Sequence, residues 1–433
     1  MESNAQPAND RTSLLEDSDW LRTRTVSLIL FAGIVLMLLA PARWTGNGDI
    51  HPWADDPVAY EKIASAAPGF PDGHIASAHS ERFVPHYIVG MFNEATGLSL
   101  HASYRIFALL TIFATLLVAE RIMRTLKPPW WIYAFSLTAF ALAPYALRGT
   151  ILFPAAFQDL VFVLGAGICM LGLLRLQYPL VLIGAFVALS GRQTALLFAA
   201  AAAVWMVFAP DWKQKAELRT RLWQGAALVV GLGLTYLVIK HVVKGFTINF
   251  SPDKPSDTII FGPPGLHDLI SHLARCMDPI VVPGAALATV LGILAAAGTR
   301  MRELPLRLWL SLLLSAAIVV QPVVINPNFP GFSNNEQRLA GLGLLPLCVA
   351  LAIALIEADR RRLIVPSPQL FAGGMAVLVL SSLHHIFTVV GPSNVKEYAA
   401  IQILCGLLLI AGLLYTSRTT PARLARTSVP APA

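Results

Sequence analysis

The stretch HPWADDPVAY, His51–Tyr60, follows the first long apolar run of the chain and sets two adjacent carboxylates, Asp55 and Asp56, beside a membrane. The chain is 56% hydrophobic and only 13% charged, so charge is scarce and its placement is informative. What the acid pair can do depends on which side of the membrane it faces.

Composition excludes a set of soluble domains. The 433 residues have a mean hydropathy of +0.63 and carry repeated apolar runs. Each run is near the roughly 20 residues needed to cross the hydrocarbon. Spans are expected over 25–43, 101–123, 130–147, 151–174, 180–190, 193–209, 222–243, 279–298, 306–325, 338–357, 366–390 and 396–416. The member 180–190 is too short to cross. It pairs with 193–209 as a hairpin of partial-depth helices with its tip at SGRQT, Ser190–Thr194. Interrupted helices at membrane depth are tolerated only where they pack on protein or line a cavity. Segment 1–24 is polar and the first run is long enough to stay in the bilayer, so no cleavable signal peptide is expected.

The net charge of +7 is spread through short loops with no aromatic-interleaved basic patch, which excludes nucleic acid as a partner. Cys169, Cys348 and Cys405 fall in apolar runs and Cys276 in a loop, so neither a disulfide framework nor a CxxC pair is present. With the N-terminus inside, twenty of the 32 basic residues fall on inner segments, as the positive-inside rule requires. The outer loops are then 44–100, 244–278 and 326–337, and the acid pair faces outward. Residues 25–416 form one transmembrane domain between a cytoplasmic segment, 1–24, and a disordered cytoplasmic tail, 417–433. The Ala-rich loops point to a bacterial inner membrane with the site on the periplasmic side.

The first outer loop concentrates polar chemistry: Asp55, Asp56, Glu61, Asp72, Glu81, Arg82, and the histidines His51, His74, His79 and His86. Ala59, Ile63, Ala64 and Ala67 recur at helical spacing, so DPVAYEKIASAA reads as a short surface helix. One reading makes Asp55 and Asp56 helix-capping residues with no chemistry. The other makes them a general base and its partner, or ligands of Mg²⁺ or Mn²⁺, since neighbouring carboxylates at a low-dielectric interface have perturbed pKa values. The histidines show no zinc-type spacing. Arg82 precedes an apolar stretch, where its guanidinium suits a phosphate, a carboxylate or a lipid headgroup. Gln158, Asp159 and Arg192 are polar groups within apolar runs, so Asp159 and Arg192 are either ligand-binding or paired with each other. Glu336 and Arg338 open a helix at the outer face, and His384 and His385 lie near the outer end of another.

These motifs resemble the GT-C superfamily of polytopic membrane glycosyltransferases. ADDPVAYEKIA, Ala54–Ala64, is similar to its acidic signature with a Tyr four residues on, here Asp56 to Tyr60. ERFVPHY, Glu81–Tyr87, is similar to the Arg–Pro element that follows that loop, and ALSGRQTALL, Ala188–Leu197, to a helix-hairpin segment carrying an Arg. The resemblance implies an all-α polytopic fold of about 10–13 transmembrane helices, with short surface helices in a large first outer loop. It also implies a sugar donor carried on a polyprenyl phosphate or pyrophosphate, with membrane lipids around it and a glycan, lipid or protein acceptor. By that resemblance Asp55 or Asp56 is the base, and Arg82, Arg192 and Arg338 hold the donor phosphate. Tyr60, His79, Glu81, Asp159 and Glu336 complete the expected substrate-facing set. No WWDYG-type motif is present, so sequon-directed oligosaccharide transfer is not expected. A transporter or flippase of lipid-linked sugars, and a polysaccharide ligase or polymerase, are the alternatives.

Overall fold

A computed structural model describes residues 22, 24–29, 32, 55–73, 75–141, 147, 150, 153–248, 283–284, 286–325 and 341–360. Residues 55–73 and 75–100 are largely helical. Helix α1 spans Asp55–Ala66 with Pro57 in its first turn, where a missing N–H costs nothing. Its buried row is Tyr60, Ile63 and Ala64, continued by Ala67 just past its end; Tyr60 stands in that row where the apolar spacing had Ala59, which is half-buried. A short α2, Ser77–Ser80, leads to α3, Phe83–Thr96, which stops at Gly97 in the left-handed conformation (φ 67°). Helices α1 and α3 cross at Gly90, where a Cβ would come within 2.0 Å of the Ala64 carbonyl oxygen.

Helix α4, Leu100–Leu126, is capped by Ser99, whose hydroxyl accepts from the Ala102 N–H at 3.2 Å. It is followed by α5, Trp130–Ala141, and α6, Gln158–Arg175. The expected span 151–174 needs correction. Pro154 opens a separate 3₁₀ turn, Pro154–Ala156, and the α-helix begins only at Gln158. Gln158 and Asp159 therefore sit in a helix first turn, not at mid-span.

Helices α7, Tyr178–Gly191, and α8, Ala195–Phe208, bear out the interrupted pair, but not as a tightly packed hairpin. The principal partner of α7 is α6. A Cβ at Gly184 would lie 2.2 Å from the Cys169 nitrogen, and one at Gly165 2.1 Å from the Ala188 nitrogen. Small residues at such a seam let backbones touch, which is how helices associate where lipid removes the hydrophobic drive. Helix α8 turns instead to α10, Leu218–Val243, and to α12, Leu306–Ile325. Between α8 and α10 lies α9, Pro210–Lys215; between α10 and α12 lies α11, Ala286–Ala296. Helix α13, Leu344–Arg360, packs on α12 and α5. It starts later than the expected 338–357, of which 338–340 lie outside the described residues.

Among the described residues, α4, α6 and α10 are long and apolar enough to cross a membrane. Among the described residues the fold is all-helical apart from one parallel bridge, β1 (Ile75–Ala76) with β2 (Thr247–Ile248). That bridge and a cluster of Tyr60, Ile63, Ile75, Ile239, Val243 and Phe246 seat α1 on the end of α10. Burying a side chain of the Ile63 size contributes about 1.5–3 kcal/mol. Expected spans 366–390 and 396–416, and most of 25–43, lie outside the described residues.

Polar contacts gather at the two ends of the bundle. At one end Gln193 and Tyr236 meet on Glu81, and Thr247 donates to the neighbouring Ser80 hydroxyl. At the other, Arg175 donates to Thr125 at 3.3 Å, Tyr178 to the Gln224 carbonyl, and the Arg22 guanidinium lies over Trp130.

Candidate functional site

One end of the bundle is organised around Glu81, in the turn between α2 and α3. Its Oε2 accepts from the Gln193 side-chain amide at 3.0 Å and from the Tyr236 hydroxyl at 2.9 Å. Lys240 Nζ stands 3.9 Å from Oε1, and the Glu81 side chain is 12% exposed. Tyr236 and Lys240 are one helical turn apart on α10, so both face the same carboxylate. Gln193 belongs to the break between α7 and α8. Two remote segments, the α7–α8 break and α10, thus converge on the carboxylate of a third.

Beside it, Arg82 Nη1 donates to the Tyr60 hydroxyl at 3.1 Å. The Tyr60 ring stacks on His86 with centroids 4.0 Å apart, and His79 meets it edge-on at 5.4 Å. The Tyr104 hydroxyl donates to the Tyr60 carbonyl at 2.9 Å, so its one hydrogen is committed there. His86 Nδ1, 3.1 Å from the same hydroxyl, must then be the donor, which assigns the imidazole hydrogen to Nδ1. Four groups therefore set the rotation of α1: Arg82 on the hydroxyl of Tyr60, two histidines on its ring and Tyr104 on its carbonyl.

Below the break, Arg192 Nε contacts Asp159 Oδ1 at 2.5 Å, with side chains only 2% and 7% exposed. Of the two readings open for these residues, the structure has the ion pair. Arg192 adopts an extended conformation (φ −158°, ψ 145°) that ends α7 and turns its side chain to the first turn of α6. Gln158 next to it is fully buried, and neither its Oε1 nor its Nε2 has a hydrogen-bond partner among the described residues. A buried polar group left so costs about 1–3 kcal/mol.

Helix α1 also carries Glu61. Burial pushes its carboxyl above the usual carboxylate range, and His101, 3.9 Å away, partly opposes the rise.

The expected residues divide clearly. Tyr60, His79, Glu81 and Arg82 come together, and Asp159 and Arg192 pair at the adjacent break. Asp55 and Asp56 open α1, but their side chains lie outside the described residues, as do Glu336, Arg338, His384 and His385. No three His, Cys, Asp or Glu side chains gather as a metal site among the described residues. Sequence reading passed over Gln193, Tyr236, Lys240 and Tyr104. For Gln193 the signal was its place in the SGRQT break; for Tyr236 and Lys240 it was their one-turn spacing on an otherwise apolar helix.

No family model matches the chain, and no curated protein does. Among solved structures, the arabinofuranosyltransferase AftD from Mycobacteria is similar at 18% identity and TM-score 0.43, covering 91% of this chain. The chain spans only 27% of AftD. ArnT from Cupriavidus metallidurans, solved bound to undecaprenyl phosphate, is similar at 12% identity and TM-score 0.45. That match covers 92% of this chain and 77% of ArnT.

Proposed function

We propose that this chain is a GT-C-type membrane glycosyltransferase, moving a sugar from a polyprenyl-phosphate carrier to an acceptor hydroxyl at the outer face. The observation that carries the reading is the convergence on Glu81. Gln193 and Tyr236 bind that carboxylate, bringing the acid-bearing outer segment, the α7–α8 break and α10 to one point. A transferase of this kind needs a base, a cation for the leaving phosphate and a lipid-facing scaffold within reach of one another.

In the proposed step the acceptor oxygen bonds to the anomeric carbon, its proton passes to a carboxylate, and the bond to the carrier phosphate breaks. The carrier leaves as polyprenyl phosphate with the negative charge. Arg82, at the start of α3, is the cation assigned to that developing charge. Of the two acids, Asp56 is assigned as the base. Its four-residue spacing to Tyr60 is that of the acidic signature, a spacing Asp55 does not share. Should a divalent cation serve the reaction, this acid pair would hold it.

The test is transfer by the purified protein in proteoliposomes. Polyprenyl-phosphate mannose, glucose and arabinofuranose are offered as donors with cell-envelope extract as acceptor. Labelled product from at least one donor is expected, with loss when Arg82 becomes Gln. Absence of product from all three contradicts the reading.

A further inference from the structure

Helix α6 begins inside the protein without a capping side chain, since its N-cap residue is Phe157. Its first residue, Gln158, is completely buried with both ends of its amide unpartnered. Native interiors pair such groups almost without exception, and an exception calls for a reason. The next residue, Asp159, is held by Arg192, and a Cβ on the intervening Gly191 would lie 2.5 Å from the Gln158 carbonyl oxygen. An orphan amide, a helix N-terminus and an ion pair thus meet under the α7–α8 break, next to the Gln193–Glu81 contact.

We infer that Gln158, with the Asp159–Arg192 pair, is the subsite that reads the hydroxyls of the transferred sugar; this rests on the transferase reading above. A carboxamide offers two donors and one acceptor, and sugar hydroxyls each donate and accept. The charges of Arg192 and Asp159 cancel, which suits a neutral polyhydroxyl group and disfavours a phosphate. Carrier phosphate and sugar are therefore read by different residues. Gln158, Asp159 and Arg192 are closed over in this structure, at 0%, 5% and 2% exposure. Sugar entry requires the Arg192–Thr194 linker, extended at Arg192 and turning at Thr194, to shift, exchanging protein contacts for sugar hydroxyls.

Gln158→Leu and Gln158→Met test this through stability and binding together. Removing an orphan amide leaves the Tm of both variants equal to or above that of the parent. Bare undecaprenyl phosphate binds parent and variants alike. The carrier bearing the preferred sugar, from a panel of mannose, glucose and arabinofuranose, binds the parent more tightly than bare carrier does. That gain falls about tenfold in both variants, the size of one lost hydrogen bond. The inference is overturned if both variants lose several degrees of Tm, which would mean the amide has a protein partner. It is equally overturned if they keep the sugar-dependent gain, if they weaken toward bare carrier, or if no sugar improves binding to the parent. A parent protein that binds no carrier at all sinks the transferase reading itself.

Discussion

Arg192 and Asp159 are joined at 2.5 Å across the junction of two helices, and both are buried. Removing one partner strands the other charge in a low-dielectric interior, which costs about 3–5 kcal/mol. Arg192→Gln and Asp159→Asn should each lower thermal stability sharply, while the double variant recovers it. Because the pair is assigned to the sugar subsite, the recovered protein should still fail to transfer. Turnover returning along with Tm would show the pair to be structural only.

Gln193 reaches Glu81 from 112 positions away. A double-mutant cycle with Glu81→Ala and Gln193→Ala, read by thermal unfolding, should give a coupling of about 0.5–1.5 kcal/mol, as for one hydrogen bond. Strictly additive losses would mean that the break and the outer segment are not coupled.

Glu61 gives a pH signature. Its folded-state pKa is raised by burial, so its contribution is present below the unfolded value and is lost as pH rises through the folded one. Glu61→Gln should therefore be more stable than the parent at pH 7. The advantage should fade as the pH falls through the raised folded-state value toward the ordinary glutamate pKa, about 4.3. A constant difference across that window would argue against a buried, perturbed carboxylate.

Orientation is open to chemical labelling. An impermeant thiol reagent applied outside should label Ser77→Cys and leave Lys213→Cys untouched, each in a background without other cysteines. Labelling of position 213 in intact cells would invert the topology and place the acid pair inside.

How legible was this molecule in its sequence? Long apolar runs read well, because membrane spans obey a length rule that needs no partner; Leu306–Ile325 matches its expected limits and Leu100–Leu126 nearly does. The helix in DPVAYEKIASAA was equally plain, but its buried centre was not. Tyr60 is inside because Arg82, His86 and Tyr104 satisfy its polar atoms and ring, contacts that periodicity alone does not reveal. The late start of α6 hinged on Pro154 opening its own turn. The convergence on Glu81 was invisible for the same reason as the Tyr60 anchor: its partners are 112 and 155 positions away.

The central claim is that an acid at the start of α1 is the base, and transfer by Asp56→Asn beside Asp55→Asn tests it most directly. Both acids lie in the first turn of α1, where Asn forgoes only a charge–dipole contribution of about 0.3–1 kcal/mol, so both variants should express and melt close to the parent. An amide cannot take the acceptor's proton, so Asp56→Asn should lose about 10²–10⁴-fold in turnover, with Asp55→Asn much less affected. Full transfer by both variants would contradict the account.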